Sequence, residues 1–466
     1  MAVTHDAFAS LADHGIGKGT RIRKDTGMGR IKIGAALATV VALVCAAQGL
    51  AAPGGALKHV STVSAPALGN PEGITVSPDG KHVYGVGFAA DEIGIFSRNR
   101  NSGKIKLLDD VFGDGLQSPR AVVVSPDGKN VYVAGASSDT VHVYARAANG
   151  GLTFLEAERD GFGGVTLLQG PYDVAISPDG KHVYAVSLNE HAVNLFNRLG
   201  NGELTFVDDY SGVPFAYSVA VSSDGKNVYV TSSGAVLTFK RNKATGELNQ
   251  IDSDGLGATL FDVTVSPDGK RVYVADADGV HALKRNAKTG KLDSPKLVET
   301  GQAQEVAVAP AGDAVYATVG NGVRTVAVRK NGGLKVIDFD GFGGVISVSA
   351  GVAVSPDGRH VVISGGVGLE DAHAISLSRQ PTLTLKGKAK QAAGKLAVRA
   401  ACNAKCRVTL SGKGLKKVSR TLAPGKEKRL RLFFKGAPPS GGKLVIKGKA
   451  KAGNRKAADK LTVRLK

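Results

Sequence analysis

Tryptophan is absent from this chain, methionine occurs twice, at Met1 and Met28, and cysteine three times. No G-x-S-x-G elbow, H-E-x-x-H pair or phosphate-binding loop occurs, so the sequence carries none of the local signatures of a serine hydrolase, a zinc protease or a P-loop enzyme. Its ten histidines do not cluster. Acidic residues are nearly missing from the last sixth: Pro381–Lys466 holds 25 Lys and Arg against Glu427 and Asp459, whereas the other 380 residues hold 35 against 38. The formal net charge of +20 therefore belongs to one segment and does not characterise the whole chain. What is plentiful is glycine, 62 residues, with 42% hydrophobic residues, the balance of a turn-rich, soluble all-β protein.

The abundant pattern is a repeat. VSPDGKHVYGVG from Val76 recurs as VSPDGKNVYVAG from Val124, ISPDGKHVYAVS from Ile176, VSSDGKNVYVTS from Val221, VSPDGKRVYVAD from Val265, VAPAGDAVYATV from Val308 and VSPDGRHVVISG from Val354. Measured at the motif's aspartate, with Ala311 in its place in the sixth copy, successive spacings are 48, 52, 45, 44, 43 and 46 residues, the period of a propeller blade. Alternating apolar residues predict a strand on either side of Pro-Asp-Gly, a turn sequence. A third apolar segment follows (Val141–Arg146, Ala192–Arg198), then a turn such as Thr245–Leu248 and a fourth strand such as Leu152–Glu158, giving four antiparallel strands per unit.

Ahead of the repeats, residues 1–52 read as an N-terminal extension and secretory signal. Arg30 and Lys32 precede an apolar run from Ile33 to Ala47, and Gly49-Leu50-Ala51 is a small-x-small cleavage candidate, with Met28 as a second candidate start. The run is shorter than the roughly 20 apolar residues of a spanning helix, so a membrane anchor is the weaker reading. After it, Leu57–Ala65 is a lone strand, while the last copy supplies only three. Closure of the ring by the N-terminal strand makes a seven-bladed propeller over 53–380.

The SPDGK-x-VYV core, the V-x-V-F/Y-x-R third strand, the TGxL turn and the DGFGGV segments at Asp160–Val165 and Asp340–Val345 resemble the lactonase-type seven-bladed propellers, also described as YVTN repeats and related to WD40-like repeats. The resemblance implies the fold. For activity it implies either a sugar-lactone hydrolase or a secreted repeat protein without catalysis, and the motif itself, being scaffold, brings no catalytic residue with it.

Residues 381–466 alternate apolar with basic or small residues between PG and PPSGG turns, which predicts a small immunoglobulin-like β-sandwich of about seven strands. It resembles the Lys-rich modules that end many secreted bacterial proteins. Cys402 and Cys406 are a disulfide candidate in an exported chain, and two cysteines without a nearby histidine do not make a zinc site. Such a basic module is expected to take anionic cell-wall polymers or polysaccharides as partners, in a salt-dependent way. Nucleic acid is disfavoured because only Phe433 and Phe434 offer stacking faces.

Candidate ligand-binding residues emerge from comparing the copies with each other, since positions that repeat serve the blade and positions that differ are free to serve a ligand. Two adjacent positions before each first strand differ, and they nominate Glu72, Arg120, Tyr172, Asp173, Tyr217, Asp262 and Glu305 at one mouth of the channel. Loops between second and third strands carry Asp91, Glu92, Asp139, Glu190, His191, Asp276, Asp278, Glu370 and Asp371, carboxylate-rich turns that raise a divalent metal as an alternative to no cofactor. His82, His182 and His360 share one slot after the turn and are expected to be exposed strand positions. The leading reading is a secreted or envelope-associated binding protein, and the alternative is a lactonase-like hydrolase at the channel mouth.

Overall fold

A computed structural model of the chain describes residues 57–329, 333–341, 348–367, 371–379, 383–386, 390–391, 396–402, 406–423, 426–435, 442–452 and 455–465. The signal segment, most of the second DGFGGV stretch and Glu370 lie outside the described residues.

Each repeat folds as a four-stranded antiparallel sheet. Blade three is representative. Its innermost strand Pro171–Ile176 turns through Ser-Pro-Asp-Gly into His182–Ser187, which pairs with Ala192–Arg198 and then with Leu204–Tyr210. In the turn, Ser177 Oγ donates to Asp179 Oδ1 at 2.5 Å and accepts the His182 N–H at 3.0 Å. The second strand is buried on both faces, as expected for a strand inside a sheet packed between neighbours. Pairing of Pro171 with Ser187 puts the start of the innermost strand and the loop after the second strand at the same rim.

Blade seven takes Val348–Val354, His360–Val367 and Asp371–Arg379 from the end of the repeats and Leu57–Ser64 as its outermost strand. The N-terminal strand runs antiparallel to the third, Leu57 opposite Arg379 and Ser64 opposite His373. Every blade thus has four strands, and the ring closes with the two ends of the repeat region in one sheet.

Neighbouring blades are joined by a repeated latch built from the motif. The arginine ending the third strand of one blade reaches the aspartate, the slot residue that opens the second strand, and the tyrosine of the blade before it. Arg241 Nε donates to Tyr184 Oη at 2.8 Å, its Nη2 lies 3.3 Å from Asp179 and 2.5 Å from His182 Nδ1, and its Nη1 donates to the Gly225 carbonyl at 2.9 Å. Arg146, Arg198 and Arg285 repeat the arrangement on Asp79, Asp127 and Asp224. The slot residues are therefore buried: His82 is 6% exposed, His182 1% and His360 0%. This corrects the expectation of exposed strand positions. The alternation of apolar and polar residues is the same for a solvent-facing and a blade-facing slot, and only the neighbouring blade's arginine distinguishes them. Burial, with the guanidinium close by, holds His82 and His182 below the usual imidazole range, so they accept from arginine as neutral rings.

The ring seam uses the same latch with one part missing. Arg98 of blade one reaches Asp357 at 3.1 Å and His360 at 2.5 Å in blade seven, but Val362 stands where the other copies have tyrosine, and Arg98 Nε finds no partner among the described residues. Blade six carries Val328 at the arginine position, and Arg271 in blade five hydrogen-bonds Tyr273 of its own strand instead.

The C-terminal segment forms two sheets. One orders Leu383–Lys386, Ala397–Cys402 and Lys428–Arg431; the other orders Lys390–Gln391, Arg455–Leu465, Gly442–Ala452, Cys406–Ser411 and Val418–Leu422. Among the described residues these make eight strands, close to the about seven expected, with Lys390–Gln391 pairing parallel with Arg455–Leu465. Val398, Val408, Leu410, Leu430 and Ile446 fill one core between them, and Cys402 is bonded to Cys406. Among the described residues no helix is long and apolar enough to cross a membrane.

Candidate functional site

The structure brings all seven nominated mouth residues to the wall of one cavity of about 330 Å³, together with Ala121, Ser218, Phe261, Gln302, Gln304 and Ala350. They come from six blades, gathered because each sits at or just inside the start of an innermost strand.

Two functional zones differ in chemistry. At the rim, Arg120 Nη1 donates to Glu72 Oε1 at 2.8 Å. Its guanidinium lies between two aromatic rings, 4.1 Å from the Phe88 centroid and 4.7 Å from that of Tyr172. Tyr172, Tyr217 and Phe261 then continue around the wall edge to face, at 5.2 and 6.2 Å. Phe88 was missed from sequence. It follows the second strand of blade one, where the other described copies place Ala136, Leu188, Ser233, Ala277 and Gly320, so extending the between-copy comparison to that position would have singled out the aromatic.

Below the rim lies a belt of carboxyl groups that serves the scaffold as well as the site. An innermost strand has one edge without a strand partner, and its N–H groups need acceptors. Asp173 Oδ2 accepts from Val219 N at 2.9 Å, Asp262 Oδ2 from Val306 N at 2.8 Å and Glu305 Oε2 from Val352 N at 2.9 Å, each one blade further on. Ser218 Oγ lies 2.8 Å from Asp173 Oδ2 and 2.7 Å from Asp262 Oδ1. One hydroxyl hydrogen cannot serve both, so the second short contact calls for a carboxyl proton.

The electrostatics agree. Burial, with the Asp262 charge adding to it, pushes the Asp173 carboxyl up to about 7. Burial also raises Asp262, and burial with the neighbouring Asp262 charge raises Glu305 well above the carboxylate range. Glu72 is raised by burial although Arg120 opposes it, and Tyr172 is raised by burial. The mouth therefore presents a cation, an aromatic arc and carboxyl groups that burial raises above their ordinary range, Asp173 to about 7.

The acidic turns at the same rim are engaged otherwise. Asp91 accepts from Ser118 N at 2.6 Å and Asp139 from Gly170 N at 2.8 Å, while His191 Nδ1 accepts from Phe215 N at 3.0 Å. All three take left-handed φ, near 55–59°, so they are turn residues clasping the entry to the next blade. Asp276 is buried against His281 at 2.7 Å. Among the described residues no group of three or more His, Cys, Asp or Glu gathers in a metal-holding arrangement.

Four-stranded blades in a closed ring, with a polar mouth where the innermost strands begin, define the class: a seven-bladed β-propeller. The family model for the seven-bladed lactonase propeller matches residues 48–168. Among solved structures, a Bacteroides uniformis protein named as a candidate 6-phosphogluconolactonase is 22% identical, covers 59% of this chain and 86% of its own, and superposes with a TM-score of 0.52. The periplasmic gluconolactonase of Pseudomonas aeruginosa is 21% identical, with 58% and 85% covered and a TM-score of 0.50. The hydrazine synthase of Kuenenia stuttgartiensis is equally similar in shape, at 19% identity, 67% and 96% covered and a TM-score of 0.53. No curated protein sequence matches the chain. Likeness at this level shows the fold alone, and chemistry as different as lactone hydrolysis and hydrazine synthesis shares it.

Proposed function

We propose that this protein is an exported binding propeller whose channel mouth takes a small polyhydroxylated ligand of the sugar-acid type. The observation that carries the reading is the pairing, in one 330 Å³ cavity, of an aromatic arc with a cation and buried carboxyls. Rings offer faces to the apolar side of a sugar, Arg120 matches a ligand carboxylate, and Asp173, Gln302 and Gln304 can bond hydroxyls. Turnover has less support: no histidine is among the described lining residues, and the belt carboxyls already accept backbone N–H groups.

One observation favours lactone hydrolysis as a second reading. A carboxyl near pKa 7 is poised to take a proton from water as that water attacks a carbonyl, with Arg120 stabilising the oxyanion. A panel of sugar lactones, assayed with and without divalent metal, separates the two. The binding reading expects turnover no faster than the buffer rate; robust turnover abolished by Arg120→Ala and Glu72→Ala would replace it with the hydrolase.

Export is supported by the charged and apolar segment Arg30–Ala47. The basic C-terminal module attaches the propeller to anionic envelope polymers through the excess charge of 381–466. Retention on cell-wall material that survives deletion of 381–466, or ignores salt, would contradict the attachment.

A further inference from the structure

The five-stranded sheet of the sandwich carries its charge in an order that net charge alone does not require. Along Gly442–Ala452, Leu444, Ile446 and Ala450 point into the core, while Lys447, Lys449 and Lys451 are exposed on the outer face. The strand partners place further cations beside them: Lys447 opposite Lys460, and Lys451 between Lys456 on one side and Arg407 on the other. All six are exposed, and none has an ion-pair partner among the described residues.

Like charges directly opposite across a sheet destabilise it. The module's two acids relieve none of this. Asp459 faces inward, where its Oδ2 accepts from Leu385 N at 2.7 Å, and Glu427 bridges Lys386 and Arg399 on the other sheet. Between the cations the outer face holds small hydroxyl residues, with Thr409 hydrogen-bonded to Ser419 at 2.9 Å and Thr421 opposite Arg407. The result is unneutralised on one side and short of bulk.

We infer that this outer face, Arg407, Lys447, Lys449, Lys451, Lys456 and Lys460, is the docking surface for an extended linear polyanion, a chain with a carboxylate or phosphate on each unit. The inference rests on the attachment reading above and assigns it to one face. Strand geometry sets cations about 6.7 Å apart along Gly442–Ala452 and about 4.8 Å apart across the row Arg407, Lys451, Lys456. A flexible chain lying on the sheet can meet such a grid. Five of the six are lysines, point charges that read charge density and do not fix a bidentate geometry. The face presents no aromatic ring for base stacking, and Val445 is its one large exposed hydrophobic, too little to insert into a bilayer.

The test titrates the full chain with polygalacturonate and with polyphosphate at 50 and 200 mM salt. Two triple variants remove the same charge: Lys447→Gln with Lys449→Gln and Lys451→Gln, and Lys428→Gln with Arg429→Gln and Arg431→Gln on the other sheet. The first is expected to weaken binding at least about 30-fold and to reduce the slope of log affinity against log salt by about two, and the second to weaken it no more than about threefold. The first variant should melt at or above the wild-type temperature, because repulsion has been removed. Equal loss from both variants would overturn the assignment to this face, as would tighter binding to anionic vesicles or duplex DNA than to either polymer. Wild type binding neither polymer would remove the attachment reading itself.

Discussion

Asp173 and Asp79 are the same residue type in one repeat protein, and their surroundings drive them in opposite directions. Asp173 is enclosed near Asp262 with no cation facing it, and its carboxyl rises to about 7. Asp79 also loses some water, yet the Ser77 hydroxyl, the Lys81 N–H and Arg146 bring it down to about 2. The consequences for stability have opposite signs. Between about pH 4 and 7 the unfolded chain has released the Asp173 proton while the folded one keeps it, so stability falls as pH rises through that window, by up to about 4 kcal/mol for a shift of this size. Latch aspartates such as Asp79 stabilise the fold above the ordinary carboxylate range, and that contribution is lost as pH falls towards 2. The propeller should therefore melt highest near pH 4–5. Calorimetry of Asp173→Asn from pH 4 to 8 should give a flatter profile than wild type; an unchanged slope would show that Asp173 is not protonated in the fold.

Among the elements, the outermost strand of blade seven and the turn before each fourth strand make the sharpest demands. Leu57–Ser64 puts the two ends of the repeat region in one sheet, and a chain beginning at Ala65 exposes the edge of Asp371–Arg379. Such a truncation should lose cooperative melting or aggregate, which scanning calorimetry with size-exclusion chromatography reads directly. The Gly246 turn of blade four, at φ 83°, packs on blade three, where Tyr184 Oη donates to its carbonyl at 2.6 Å. An added Cβ would lie 2.3 Å from His182 Cδ2. Gly246→Ala should cost about 2 kcal/mol or more in chemical denaturation, from left-handed strain together with the displaced latch.

Much of this was legible from sequence at the element level. The Pro-Asp-Gly hairpins, the TGxL turn and the N-terminal closure follow from local propensity and from counting strands, which the repeat makes redundant. Residues that face another blade were not. His182 looked like any polar strand position because its partner, Arg241, lies 59 residues away and belongs to a motif read as strand. Ser218 stood in the varying set beside Tyr217 but carried no sign that it would lie between two carboxyls. Phe88 escaped because the comparison was confined to the first strands.

At the scale of the whole molecule, the fold separates labour by repetition. Positions shared by the blades, Asp179, Tyr184 and Arg241 among them, form the interblade latches, and positions that differ, Arg120 and its neighbours, line the mouth. Arg241 is fully buried and also bonds Tyr184, His182 and the Gly225 carbonyl, so removing it leaves several buried groups unpaired at a cost of about 3 kcal/mol or more. Arg120 and Glu72 are each about a quarter exposed, and their pairing contributes about 1 kcal/mol at most. The most direct measurement is therefore a paired one on Arg241→Ala and Arg120→Ala: melting temperature, and affinity for a panel of aldonic acids and their lactones. The account expects a crossover, with Arg241→Ala melting several degrees lower yet binding like wild type in the cold, and Arg120→Ala melting like wild type yet binding at least about tenfold more weakly. Affinity lost equally in both, or untouched in Arg120→Ala, would contradict it.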